Sequence, residues 1–197
     1  MLKKLVRALL GDYSLYRIFE WRAESSTGHA SNSDRGQWRF LTDLDRERLR
    51  NSEIIEFRQF ANFGDEGFLF ALEDDAGLAC VCWHSIAAGG AHGGYWPLDA
   101  GEGMLEQIVT APGARGKGGA TSLIQFSTEA MMAKGFPRLF ARIWHNHAAS
   151  CRAFEKAGWH FMTLVVEIPL PLSKVVRWQR NAGQRVGFVR LLNAYEH

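Results

Sequence analysis

Ile108-Val109-Thr110-Ala111-Pro112-Gly113-Ala114-Arg115-Gly116-Lys117-Gly118-Gly119-Ala120-Thr121 reads as a strand that runs into a glycine-rich turn and opens a helix. Such a turn leaves several backbone N–H groups unpaired and pointing one way, and the positive end of the helix dipole reinforces them. These donors suit a phosphate or pyrophosphate, and glycines let the backbone come close to the anion. Arg115 and Lys117 add positive charge at the same place. A plain helix cap with solvated charges would use the same residue types. Two nucleotide patterns fail. The P-loop pattern is excluded by the short Gly113–Gly116 spacing and by Gly118 where Ser or Thr should follow the lysine. The dinucleotide pattern starts at Gly116 and Gly118 but meets Thr121 where the third glycine belongs, and no acidic residue stands at a ribose-binding position.

Outward from this stretch the pattern is regular. Met104 to Ala111 (MLEQIVTA) is a strand, and Gly118 to Lys134 a helix whose buried side is Leu123, Ile124, Phe126, Ala130, Met131 and Met132. Gly135-Phe136-Pro137 ends that helix. Arg138 to Trp144 is a second strand, Ala148 to Ala157 a second helix closed by Gly158, and Phe161 to Ile168 a third strand. Upstream, GFLFALE and LACVCWHS are two apolar runs joined by Asp74-Asp75-Ala76-Gly77, which predicts a β-hairpin. Ser14 to Arg22 predicts a first strand. Thr42 to Asn51 suits a solvated helix, and Ile54 to Phe63 continues with apolar positions at helical spacing. Ser25 to Gly36 is loop-like. A strand–helix–strand crossover of this length favours parallel pairing, so the expected class is α/β (α+β) with a mixed sheet.

Composition sets the outer limits. The chain has 197 residues, 47% apolar and 22% charged, with thirteen Phe, seven Trp and four Tyr, enough for one folded domain with a large core. A formal net charge of +2 is too small to point to nucleic acid. No apolar run approaches the ~18 residues of a membrane-spanning helix. MLKKLVRALLG is interrupted by Arg7 and is followed by no small-residue cleavage site, so no secretory signal is expected. Three cysteines do not make a disulfide framework, and a cytoplasmic location follows as the expectation.

Arg115-Gly116-Lys117-Gly118-Gly119-Ala120 resembles motif A of the GNAT acyltransferase superfamily, [Q/R]-x-x-G-x-[G/A], with Pro112 three residues ahead of the arginine. His147-Ala148-Ala149-Ser150-Cys151-Arg152-Ala153-Phe154-Glu155-Lys156-Ala157-Gly158-Trp159 resembles the motif B pattern N-x-x-[S/A]-x-x-x-Y-x-K-x-G-F. The order of elements matches too, and the resemblance covers roughly residues 15 to 168. It implies a mostly antiparallel central sheet in which two neighbouring parallel strands splay apart, with the pantetheine arm of acyl-CoA in the gap. It implies that Ile108, Val109 and Thr110 pair with the pantetheine through their backbone. The amides of Gly116, Lys117, Gly118, Gly119, Ala120 and Thr121 would hold the pyrophosphate, and an N–H near Val109 would polarise the acyl carbonyl. Asn146 or His147 fills the motif B asparagine position, with Ser150 nearby. The family tyrosine that can protonate the departing thiolate is Phe154 here, which has no proton to give.

A general base must face the acceptor. Glu106, two residues before Ile108 and so on the same strand face, is the candidate, with His145 behind it; an ordinary solvent-facing Glu is the bland reading. His145 and His147 form an H-x-H pair, but no third ligand stands at suitable spacing, and no metal site is expected. Cys80, Cys82 and His84 alternate on the hairpin strand and read as core packing with a polar tip. The resemblance places the acceptor against the hairpin and the loop before the central strand, where Trp83, His84, Tyr95, Trp96 and Asp99 stand. Outside the core, residues 1–10 predict an amphipathic helix. Residues 172–197 predict a basic hairpin (Val175 to Trp178 and Val186 to Leu192) that carries five Lys and Arg against Glu196. These ends would touch an anionic membrane surface or form a dimer contact.

The resulting expectation is one domain over residues 1–197. It would transfer an acyl group from acyl-CoA, with acetyl-CoA as donor, directly to the amine of a small molecule or sugar-like acceptor. Cys151 would offer a nucleophile for a ping-pong route, but nothing in the sequence activates it. The alternative is a non-catalytic acyl-CoA-binding or membrane-surface module of the same fold, which Phe154 keeps in play.

Overall fold

Ser14–Arg22 carries apolar residues toward both faces, with Ile18 and Phe19 both buried, and the segment is strand β1. A computed structural model describes residues 14–23, 39–42, 46–64, 66–86, 96, 98–170, 174–181 and 187–189. After β1 come the short strand β2 (Arg39–Leu41), helix α1 (Arg46–Arg50) and helix α2 (Ile55–Arg58), which tightens into a 3-10 turn over Gln59–Asn62. The hairpin follows as β3 (Gly67–Asp74) and β4 (Gly77–Ile86), its turn held by the Asp74 carboxylate accepting the Ala76 N–H at 2.9 Å. The second half comprises β5 (Glu102–Thr110), α3 (Gly119–Ala133), β6 (Arg138–Trp144), α4 (Ala148–Lys156) and β7 (His160–Leu170). Two further strands, β8 (Lys174–Asn181) and β9 (Gly187–Val189), pair antiparallel.

The strands form one sheet in the order β2-β3-β4-β5-β6-β1-β7-β8-β9. β5 and β6 are its parallel pair, joined through α3, and the other neighbours are antiparallel. The mixed, mostly antiparallel sheet expected from the sequence is what forms. β1 lies between β6 and β7, far from its chain neighbours.

Each face of the sheet has its own apolar layer. On one face α3 and α4 bury Leu123, Ile124, Met131 and Phe154 against Phe19, Leu105 and Leu139. Trp159 closes that layer, its indole N–H donating to the Thr128 hydroxyl at 3.2 Å. On the other face Ile18, Met104, Phe140 and Val165 pack around Trp96. Each such side chain, fully buried, contributes roughly 1.5–3 kcal/mol. Farther along this second face, Phe63 stacks on Trp83 with ring centroids 5.1 Å apart.

β2 is absent from the sequence expectations. It is three residues long, too short for alternation to show, and Arg39 and the α1 residue Arg48 both pair with the buried carboxylate of Glu73 on β3. β5 and β7 extend beyond the predicted runs. The predicted N-terminal helix over residues 1–10, the loop Ser25 to Gly36 and Tyr95 lie outside the described residues.

Candidate active site

The parallel strands β5 and β6 pair only from Glu102↔Arg138 to Leu105↔Ala141. β5 continues to Thr110 and β6 to Trp144 without pairing to each other, so the sheet forks at Leu105 and Ala141. Below the fork, Arg138 donates to Glu20 on β1 and to Glu102 on β5, each at 2.6 Å. This two-carboxylate clamp holds three strands at the closed end while the other end opens.

The ladder to β4 fixes what β5 presents to the gap. Ala111 N–H donates to the Ala79 carbonyl at 2.9 Å, and the register runs Cys80↔Thr110, Val81↔Val109, Cys82↔Ile108. Hydrogen-bonding direction alternates along an antiparallel strand, so the Val109 amide turns toward β4 and those of Ile108 and Thr110 turn toward the gap. Of the backbone donors near Val109, the one turned into the fork is therefore the Ile108 N–H, while the Val109 N–H itself belongs to the β4 ladder.

A β-bulge re-aims the next residue. Trp83 pairs with Gln107 and His84 with Leu105, leaving Glu106 as the extra residue. Ile108 shares the α3 face with its partner Cys82. Glu106 lies on the opposite face, where its exposed carboxylate accepts the Ser85 hydroxyl at 2.6 Å. The expectation that Glu106 and Ile108 share a face is therefore wrong, because a bulge breaks the two-residue period between them.

At the far end of β5 the backbone enters the glycine-rich turn. Gly116 and Gly118 have φ of +77° and +84°, a region that side chains with a Cβ disfavour. A Cβ on either would meet nothing within 4 Å, so the space beside them is open. Gly118 is the N-cap of α3, and the first helical hydrogen bond runs from Ser122 N–H to Gly118 O at 3.1 Å. The amides of Gly119, Ala120 and Thr121 precede any such partner. Arg115 and Lys117 are exposed on the same turn, with Arg115 Nε donating to Thr110 O at 3.3 Å. Free donors, open space and two cations fit a diphosphate.

The other expected residues are placed unevenly. His147 is the N-cap of α4 and makes no side-chain cap bond, Asn146 lies one residue earlier in the turn, and both are exposed. Ser150 is half-buried beside the buried Cys151. Phe154 is core, its ring 5.1 Å from Trp159 and 6.0 Å from Phe19. Three residues expected to meet the acceptor are buried instead. Trp83 lies under Phe63, and Trp96 packs on Phe140 at 5.6 Å. His84 is on the α3 face with its Nε2 3.0 Å from Ser127 Oγ. Burial pushes its pKa down to about 3, and it pushes the Cys80 thiol up to about 12. Among the described residues no group of three or more His, Cys, Asp or Glu could hold a metal ion.

Residues 15–159 match the model of the Acetyltransferase (GNAT) family. The chain belongs to that family. No curated protein matches it significantly. Among solved structures, an acetyltransferase of the GNAT family from Novosphingobium aromaticivorans is 15% identical with a TM-score of 0.52, over 79% of this chain and 63% of that one. A Drosophila protein is 12% identical with a TM-score of 0.53, over 84% of this chain and 54% of that one. The ribosomal-protein-S18-alanine N-acetyltransferase from Escherichia coli is 15% identical with a TM-score of 0.45, over 61% of this chain and 76% of that one. At these identities the likeness to the first two shows the fold alone. The chain spans less than two thirds of the length of the first two proteins.

Sequence reading missed most of what lies on the face turned away from α3. Arg142 and Trp144 sit on it with Phe140, and Tyr16 of β1 faces Trp144 across the pair. In the predicted strand Arg138 to Trp144 the two-residue period puts Phe140, Arg142 and Trp144 on one face, and that register was the available signal. Ser85 and Gln107 follow from the bulge and carried no such mark.

Proposed function

We propose that this GNAT protein is an acyl-CoA-dependent N-acyltransferase, with acetyl-CoA as donor, that acylates the amine of a small molecule without a covalent acyl-enzyme. The observation that carries the reading is the fork: a stretch of β5 open on its β6 side leads directly into a turn of free amides and cations. Bound acyl-CoA supplies an activated acyl carbon and a thiol leaving group. The amides of Gly119, Ala120 and Thr121, with Arg115 and Lys117, would hold the diphosphate. The backbone of Ile108 and Thr110 would meet the pantetheine amides. The Ile108 N–H would face the acyl oxygen as negative charge develops on it, where a preorganised donor acts most strongly.

Glu106 faces the side from which an amine must come. As the amine nitrogen bonds to the acyl carbon and the carbon–sulfur bond breaks, the ammonium proton passes to Glu106, directly or through water. Phe154 is buried and has no proton to offer, so the departing sulfur takes its proton from solvent. Cys151 is buried in α4, which does not favour a covalent route.

Calorimetry and thiol release test this together. Acetyl-CoA should bind the wild-type chain, and Gly118→Glu should abolish binding through backbone strain, bulk and charge while circular dichroism stays unchanged. Unchanged affinity in Gly118→Glu would remove the diphosphate cradle. Binding without thiol release for any amine would favour a non-catalytic acyl-CoA-binding module.

A further inference from the structure

Glu106 is the extra residue of the β5 bulge, so it has no cross-strand partner of its own. An exposed glutamate ordinarily samples many rotamers. What restrains this one is the Ser85 hydroxyl, 2.6 Å from its Oε1. A carboxylate only accepts, so the hydroxyl donates, and the length is that of a charge-assisted bond. Ser85 itself is fixed. It pairs with Gly67 of β3 on one side and Met104 of β5 on the other, and the Ile86 N–H that follows donates to Glu66 O at 3.1 Å. A Cβ on Gly67 would run into His84 O and the Trp83 ring, so glycine is what lets β3 come this close to the strand of the serine. Met104 precedes Glu106 by two residues, and the bulge falls after it. The serine therefore reaches the carboxylate diagonally across β4 and β5.

We infer that Ser85 is a positioning residue for the base: it holds Oε1 of Glu106 and leaves Oε2 as the oxygen that takes the proton of the amine. The inference rests on the acyl-transfer reading above and deepens it. Among the described residues Oε2 has no hydrogen-bond partner, so the two oxygens divide the work. As the amine nitrogen bonds to the acyl carbon and the carbon–sulfur bond breaks, the ammonium proton passes to Oε2, directly or through water. The resulting carboxylic acid keeps Oε1 as a carbonyl oxygen, which still accepts from Ser85. The serine bond thus persists through the transfer, and Ser85 neither gains nor loses a proton. Solvent then takes the proton from Oε2 and restores the carboxylate. The contribution of Ser85 is orientation: a carboxylate already held needs no rotamer search when the amine arrives.

The test is a double-mutant cycle on thiol release from acetyl-CoA, with free amino acids, amino sugars and polyamines as the amine panel. With the amine that releases thiol fastest, Ser85→Ala should lower kcat about tenfold and leave the KM for acetyl-CoA unchanged. Ser85→Thr keeps the hydroxyl and should restore most of the rate. In Glu106→Gln the same Ser85→Ala change should cost nothing further, because the base is already gone. A serine with a merely structural role would cost as much in either background. That result, or a wild-type kcat in Ser85→Ala, overturns the inference while leaving Glu106 and acyl transfer standing. Side-chain relaxation of 13C-labelled, CoA-loaded protein gives a readout free of turnover. The order of the Glu106 side chain should fall in Ser85→Ala and return in Ser85→Thr, and equal order in wild type and Ser85→Ala overturns the inference. If acetyl-CoA binds but no amine releases thiol, acyl transfer itself fails and the inference falls with it.

Discussion

His84 lies wholly inside the sheet–α3 interface, edge-on to Phe70 at 5.5 Å and 3.0 Å from the Ser127 hydroxyl. Burial lowers its pKa from 6.5 to about 3, so between those values the unfolded chain takes up a proton that the folded chain refuses. Its contribution is fully present above pH 6.5 and is lost as pH falls, by roughly 1.4 kcal/mol per pH unit within the window. Urea unfolding at several pH values should show a shallower decline between pH 6 and 4 in His84→Gln than in wild type; parallel declines would show that His84 stays charged when folded. At Glu106, replacement by Gln should lower kcat about a hundredfold with the KM for acetyl-CoA unchanged, and the deficit should shrink at high pH as the amine sheds its own proton. A full rate at neutral pH would remove Glu106 as the base. Residue types at the site were legible in the sequence; their burial was not. Trp83, His84 and Trp96 have acceptor-binding chemistry, but Phe63, α3 and Phe140 cover them, and those contacts come from distant parts of the chain. Glu106 was legible as a carboxylate near the fork. Its face was not, because Leu105-Glu106-Gln107 contains no glycine to mark a bulge.

At the scale of elements, the register of β5 makes a claim that hydrogen exchange can read amide by amide. The Val109 amide, turned toward β4, should be protected in the free protein, while those of Ile108 and Thr110 should exchange fast. Acetyl-CoA should slow Ile108 and Thr110 and leave Val109 nearly unchanged. Protection of all three in the free protein would mean that the arms of the fork close on each other. The sequence marked β1 and β6 to the residue and the hairpin to within one residue, because short apolar runs and the turn residues that bound them are local signals. It did not mark where β5 and β6 part. That point is set by the Arg138 clamp and by the bulge, which join residues far apart in sequence, such as Arg138 and Glu20.

For the whole molecule, a ligand that binds only the folded chain stabilises it by mass action. At a hundredfold excess over Kd the gain is about 2.7 kcal/mol, which for a chain of this size raises Tm by roughly 5–10 °C. Wild type should show this shift with acetyl-CoA in a thermal melt, and Gly118→Glu should show none. An equal shift in both would place the cofactor elsewhere.

The position of β1 has a consequence for biogenesis. Glu20 meets Arg138 only when a segment 118 residues later has been synthesised. At ~5–20 residues per second, the ribosome takes several seconds to make that partner. Throughout that interval Ile18, Phe19 and Trp21 have no neighbouring strand to cover them, and the nascent chain presents a sticky ribbon at β1. Contacts of such long range also slow refolding. A holdase, or a low temperature during expression, would guard the ribbon until the sheet can close around it.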